Sequence, residues 1–239
     1  YDQEVSQGQG FLQLHELLYQ SDLSELYEVS NQMPYYQIRT YVDTMLQLGQ
    51  VLLALYITFY LYAFIIYGGM VKLFGKYSPI QFFKDVAPAA LNAFGTCSSS
   101  ATIPISLKCA SEKIGIPEEI TSLTLPLGAT INMDAVSILM SFMITFFATA
   151  LGINLSIGTM VTVLACNVLL SIGTPGVPGG AIAAFAALCP IAGIPTNQIL
   201  GVYISVNTLC DMGATCVNVI GDLACSTVLK QTLHFKKKK

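Results

Sequence analysis

Residues 84–108 read KDVAPAALNAFGTCSSSATIPISLK, and between the two end lysines the only charge is Asp85. The stretch from Val86 to Leu107 is uncharged and apolar enough to enter a bilayer. Its middle, GTCSSSATIP, holds a glycine, three serines and a proline, which makes a poor helix centre. Both flanks are basic, so the positive-inside rule sets both ends on one side. The reading is a re-entrant hairpin that dips in and returns. Irregular backbone at membrane depth is tolerated only where protein or a cavity shields it from lipid.

The composition on either side agrees with a lipid solvent. Of 239 residues, 54% are hydrophobic and 10% charged, with mean hydropathy +0.63. A soluble domain carries about 25% charged residues, and a core of this size could not hide the excess apolar surface. Upstream, residues 44–71 carry no charge and predict one long spanning helix, 44–72, ending at Lys72. Residues 1–43 hold seven acids against Arg39 alone and form a polar, acidic N-terminal segment. Lysines at 72, 76 and 84, at 108 and 113, and at 230 with 236–239 mark the cytoplasmic side. Residues 233–239 read as a basic tail.

Downstream the layout repeats. Residues 117–150 are long enough to cross, with Asn132-Met133-Asp134 as a break in the middle. Then SIGTPGVPGGAI, 171–182, places four glycines and two prolines between apolar flanks and predicts a second hairpin, 156–190, matching the first at 78–110. Residues 196–230 form a final crossing. Two such halves entering from opposite faces are the layout of an inverted-repeat secondary transporter, with its site where the breaks meet. The fold class is therefore all-α, in a multi-pass protein of the cell membrane, with no nucleic-acid partner.

From Ala135 to Cys210 there is no Asp, Glu, Lys, Arg or His, and no Lys or Arg lies between residues 114 and 229. Asp134, Asp211 and Asp222 thus have no cationic side chain nearby in sequence. On the last helix Asp211, Thr215, Asn218 and Asp222 are spaced 4, 3 and 4, which puts them on one stripe. Charge at this depth marks an ion or substrate path. Hard oxygen ligands without thiolate or imidazole suit an alkali cation. A substrate ammonium would satisfy one further carboxylate. The serine tract and the Gly/Pro loop would supply N–H groups and half-helix ends to a carboxylate. The seven cysteines show no paired spacing and read as helix-packing hydrophobes.

At CSSSATIP (97–104), TLPLGATINMD (124–134), SIGTPGVPGG (171–180) and DMGATCVNVIGD (211–222) the chain closely resembles the glutamate transporter family, the dicarboxylate/amino acid:cation symporters. The resemblance covers roughly residues 45–232 and implies an elevator-type transport domain over 44–232. On it, Asp211 holds the substrate ammonium beside Thr215. Asn218 and the tract Ser98, Ser99 and Ser100 take the carboxylate, with main-chain amides near Val177 and Ala181. Val136 and Ala214 stand where relatives contact the substrate side chain. One sodium is implied among Gly128, Asn132, Asn218 and Asp222. A second falls among Thr130, Met133 and the carbonyls of Ser171, Ile172 and Thr174. Asn132 and Asp134 serve a third, so two or three Na⁺ are expected.

Relatives with eight spanning helices form homotrimers through a scaffold. Here the motifs begin near the sixth helix, so a fragment or an engineered minimal domain is expected. The expected function is sodium-coupled symport or exchange of a small neutral amino acid such as alanine, serine or threonine. Acidic-substrate relatives place an arginine at position 214 and, in some, at 97, with a threonine at 136 and an aspartate at 207. This chain has Ala214, Cys97, Val136 and Asn207, and no arginine from residue 40 onward. The alternatives are an acidic amino-acid transporter of the same family, a binding-competent domain that does not transport, and an intramembrane aspartyl protease using Asp134 and Asp222.

Overall fold

The computed structural model describes residues 35–233, with side chains from residue 46 onward. The acidic segment up to residue 34 and the tail from residue 234 lie outside the described residues. Every element among those described is helical. The first helix, α1, runs Tyr35–Tyr62, starting earlier than the expected 44, and passes through a π-helical turn, Ala63–Tyr67, into α2, Gly68–Leu73. Hairpin 1 is α3, Pro79–Thr96, and α4, Ser99–Lys108, continued by a π-helical turn, Cys109–Ile114. Next come α5, Glu118–Ile131, and α6, Asp134–Ala150. Hairpin 2 is α7, Ile157–Ile172, and α8, Gly180–Ile191, and the chain closes with α9, Thr196–Thr232.

Local chemistry explains the starts and stops. Pro79 opens α3 at a position where its missing N–H costs nothing, and the Ser78 hydroxyl accepts from Gln81 N at the cap. Ser98 and Ser156 cap α4 and α7 by accepting from Ala101 N and Thr159 N, at 3.1 Å each. The serine tract thus begins a half-helix instead of prolonging one. Cys97, in the left-handed region at φ 50°, makes the reversal between α3 and α4. Between α5 and α6 the helical path is interrupted at Asn132 and Met133, whose ψ values are 80° and 42°.

Three stretches are long and apolar enough to cross a membrane: Leu46–Leu73, Glu118–Ala150 and Thr196–Thr232. The last is the most enclosed, with 78% of its apolar window buried, against 28% for the first. Helix α9 is therefore the axis, and hairpin 1, α5, α6 and hairpin 2 wrap it. Contacts along α9 give the direction of each hairpin. At its C-terminal end Lys230 Nζ donates to Ile114 O at 2.7 Å, and Gly75 approaches Thr227. Both ends of hairpin 1 therefore lie near residues 227–230, while its tip reaches Asp211. Hairpin 2 approaches from the other end, with Phe185 stacked on Tyr203 at 4.0 Å and Gly179 N on Asp211. At the first hairpin's base, Tyr77 Oη donates to Asp85 Oδ2 at 2.7 Å. Burial and the Asp85 carboxylate push the Tyr77 hydroxyl up to about 12, so it stays a donor.

Candidate functional site

The two hairpin tips meet on the middle of α9. Gly176 of the second tip presents its carbonyl to the first, where it accepts from Ser98 Oγ at 2.9 Å and Ser100 N at 3.1 Å. The approach is close enough that a methyl group on Gly176 would overlap the Ala129 carbonyl oxygen. Glycine here serves closeness of backbone rather than unusual torsion.

Beneath the joined tips is a narrow, partly open pocket with about 10 Å³ of free space, room for roughly one water molecule. Its walls include Ser99 and Cys97 from hairpin 1, Thr174 to Val177 and Ala181 from hairpin 2, Met133 and Val136, and Asp211, Thr215 and Asn218 from α9. Most residues expected at the substrate are thus together. Ser98 and Ser100 instead join the tips, and Ala214 is fully buried outside the lining. Pro175 and Gly176 line the pocket without having been singled out as ligands. A hairpin tip shows in sequence as a loop, but the face it turns inward does not.

Asp211 receives only neutral donors, Gly179 N on Oδ2 at 3.1 Å and Thr215 Oγ1 on Oδ1 at 3.2 Å. Gly179 adopts φ 75°, so the turn into α8 aims this N–H at the carboxylate. Two to three turns further along α9, Asn132 Nδ2 donates to Asp222 Oδ1 at 2.9 Å and to Asn218 O at 3.2 Å. Gly128 lies against the same carboxylate, where a Cβ would collide with it. Asn218 Oδ1 accepts from Ala135 N at 2.9 Å, holding the broken helix to the axis. The set Gly128, Asn132, Asn218 and Asp222 is therefore one cluster.

The other expected cation ligands are less gathered. Thr130 is exposed, with its hydroxyl turned to Leu127 O at 2.9 Å. Met133, Ser171 and Thr174 are buried, and Ile172 is half exposed. The Ser171 and Thr174 hydroxyls donate to carbonyls of their own helix, leaving main-chain oxygens as the groups they could offer.

Asp134 opens α6, where the helix dipole favours a negative charge. Its Oδ2 accepts from Tyr62 Oη at 2.7 Å and Tyr67 Oη at 2.8 Å, two residues that the sequence reading missed. In an α-helix, positions five apart point about 140° away from each other. The π-helical turn between them, closed by i→i+5 bonds, brings them together, the rings meeting edge to face with centroids 5.2 Å apart. The only signal was a pair of tyrosines in an uncharged helix; the turn that unites them has no sequence period.

All three acids are hydrogen-bonded by neutral groups alone, with no cationic side chain beside them. Among the described residues no cluster of three His, Cys, Asp or Glu suits a transition metal, and the cysteines there are free.

Apolar spanning helices around a carboxylate-bearing pocket, with two opposed hairpins meeting over it, define a class: a polytopic membrane protein. The chain belongs to the sodium:dicarboxylate symporter family, whose model matches residues 31–232. This is a family of sodium-coupled amino-acid transporters and not of enzymes, which removes the aspartyl protease alternative. The chain is 34% identical over 163 residues to neutral amino acid transporter A of Homo sapiens, covering 66% of this chain and 30% of that protein. It is 33% identical over 150 residues to neutral amino acid transporter B(0) of Mus musculus, covering 63% and 27%. Excitatory amino acid transporter 2 of Homo sapiens is 32% identical over 175 residues, 71% of this chain and 30% of that one. The chain thus spans about 30% of the length of these relatives.

Proposed function

We propose that this chain forms the substrate- and sodium-binding part of an elevator-type carrier for small neutral amino acids. The carrying observation is the absence of a cationic side chain among the residues lining the pocket, while Asp211 remains there to hold an ammonium. A substrate's second carboxylate would meet Val136, Cys97 and the Asp211 charge. Burying it unpaired costs several kcal/mol, on the order of a thousandfold in affinity. Arginine's bidentate fork is the usual remedy. Ala214, on the flank of the stripe, provides none. The neutral transporters among the relatives agree with this reading, although excitatory transporters match about as well.

In this scheme Asp211 and Thr215 bind the ammonium, and Asn218, Ser99 and the N-terminal amides of α4 and α8 bind the carboxylate. Na⁺ enters as co-substrate at the Asn132–Asn218–Asp222 cluster and at the Asp134 site. Thr130, Met133 and the carbonyls of Ser171, Ile172 and Thr174 offer another position. Trimerisation would require the scaffold of the relatives. The test is competition among alanine, serine, glutamine and aspartate in saturating Na⁺. Neutral substrates should win by at least about a hundredfold, and Ala214→Arg should shift preference toward aspartate. Tight aspartate binding by the unaltered protein would identify an acidic amino-acid carrier instead.

A further inference from the structure

The polar stripe on α9 does not stop at Asp211. Asn207 and Tyr203 precede it by one and two helical turns on the same side. They are buried, at 4% and 0% exposure, and neither Asn207 Oδ1 nor Tyr203 Oη has a hydrogen-bond partner. Two unpaired oxygens on successive turns are unusual, because each loses its water without replacement. Their neighbours adjoin residues that line the pocket. On one side Cys97 Sγ lies 3.9 Å from the carbonyl of Thr208, next to Asn207. On the other the Tyr203 ring stacks on Phe185, one turn beyond Ala181 in α8. Cys97 and Ala181 both line the pocket. Asn207 and Tyr203 are not themselves among the lining residues; they lie behind that wall, next to residues that form it.

We propose that Asn207 and Tyr203 form a side-chain subsite that selects neutral amino acids carrying a hydroxyl or carboxamide over alanine. The proposal rests on the neutral amino-acid reading and narrows it. Asn207 Oδ1 can only accept, so it calls for an O–H or N–H donor. Tyr203 Oη can donate or accept, so it can meet the lone pair of the same substrate oxygen. A serine hydroxyl would satisfy both protein oxygens at once. The methyl group of alanine leaves both dry. A substrate carboxylate brings only lone pairs to Oδ1 and faces the Asp211 charge.

Calorimetric titration of the purified protein in lipid nanodiscs, in saturating Na⁺, tests this with alanine, serine, threonine, asparagine and glutamine. Serine should bind about tenfold more tightly than alanine, the worth of one good hydrogen bond plus relief of an unpaired group. In Asn207→Leu that ratio should collapse to within about twofold, while the substrate-free protein unfolds at a higher temperature because a dry acceptor is gone. Tyr203→Phe removes a single oxygen and should lower the ratio as well, so it carries the test if Asn207→Leu fails to fold. Equal affinity for serine and alanine, or a ratio unchanged in Tyr203→Phe and in any folded Asn207→Leu, overturns the subsite and leaves the neutral reading standing. Absence of Na⁺-dependent binding by any neutral amino acid, or tight binding of aspartate, overturns both.

Discussion

Asp222 shows at the scale of one residue why composition pointed to ion coupling. A carboxylate enclosed at 5% exposure with only an amide donor is far more stable beside a cation than alone. Replacing Asp222 by Asn should weaken Na⁺ affinity by about tenfold or more. Substrate affinity at fixed Na⁺ should fall with it, since binding of the two is linked. Substrate titrations across a Na⁺ series check this, and affinity indifferent to Na⁺ would count against it. Asp134 makes a different demand. Tyr67→Phe removes one of two donors from its Oδ2 and should cost about 1–3 kcal/mol of stability, read from thermal or denaturant unfolding. The acids were legible because charge is rare in this chain. The tyrosines were not, because a phenol in an apolar helix is as often a packing group as a hydrogen-bond donor.

At the scale of elements the decisive feature is a pair of half-helices whose first turns point at one place. Ser98 serves twice there, accepting from Ala101 N as a cap and donating to Gly176 O across the tips. Gly176→Ala disturbs that contact by displacing the second tip, because its methyl group and the Ala129 carbonyl of α5 cannot share space and it crowds Ser99 and Ser100 of the first tip. The second tip must then lift off the first. We expect the substrate-induced rise in unfolding temperature to be largely lost in Gly176→Ala, with the helical circular dichroism unchanged. A variant that keeps the full substrate-induced shift would show that tip contact is not needed for binding. The loops themselves were readable from Gly, Pro and Ser composition. Which main-chain atoms they exchange was not, since those bonds join residues 78 apart.

At the scale of the whole molecule, the long uncharged stretch limits what else can be coupled. Relatives that counter-transport potassium carry a glutamate at the position of Met140, which here is fully buried in the core. With no other carboxylate between residues 135 and 210, a K⁺ gradient should not accelerate turnover in reconstituted vesicles. A specific K⁺ acceleration would show a coupling group outside this stretch. The amino-acid sequence by itself determined the lipid solvent, the all-helical class, the two interrupted segments and the acidic stripe. Each of these is written in local composition or in a period of 3.6 residues. Tertiary structure alone decided that the tips meet over Asp211, that Tyr62 and Tyr67 close on Asp134, and that two oxygens beyond Asp211 stay unpaired. Those outcomes depend on which distant groups come within hydrogen-bonding distance once the helices pack around α9, and that is set by the shapes of all the interfaces together.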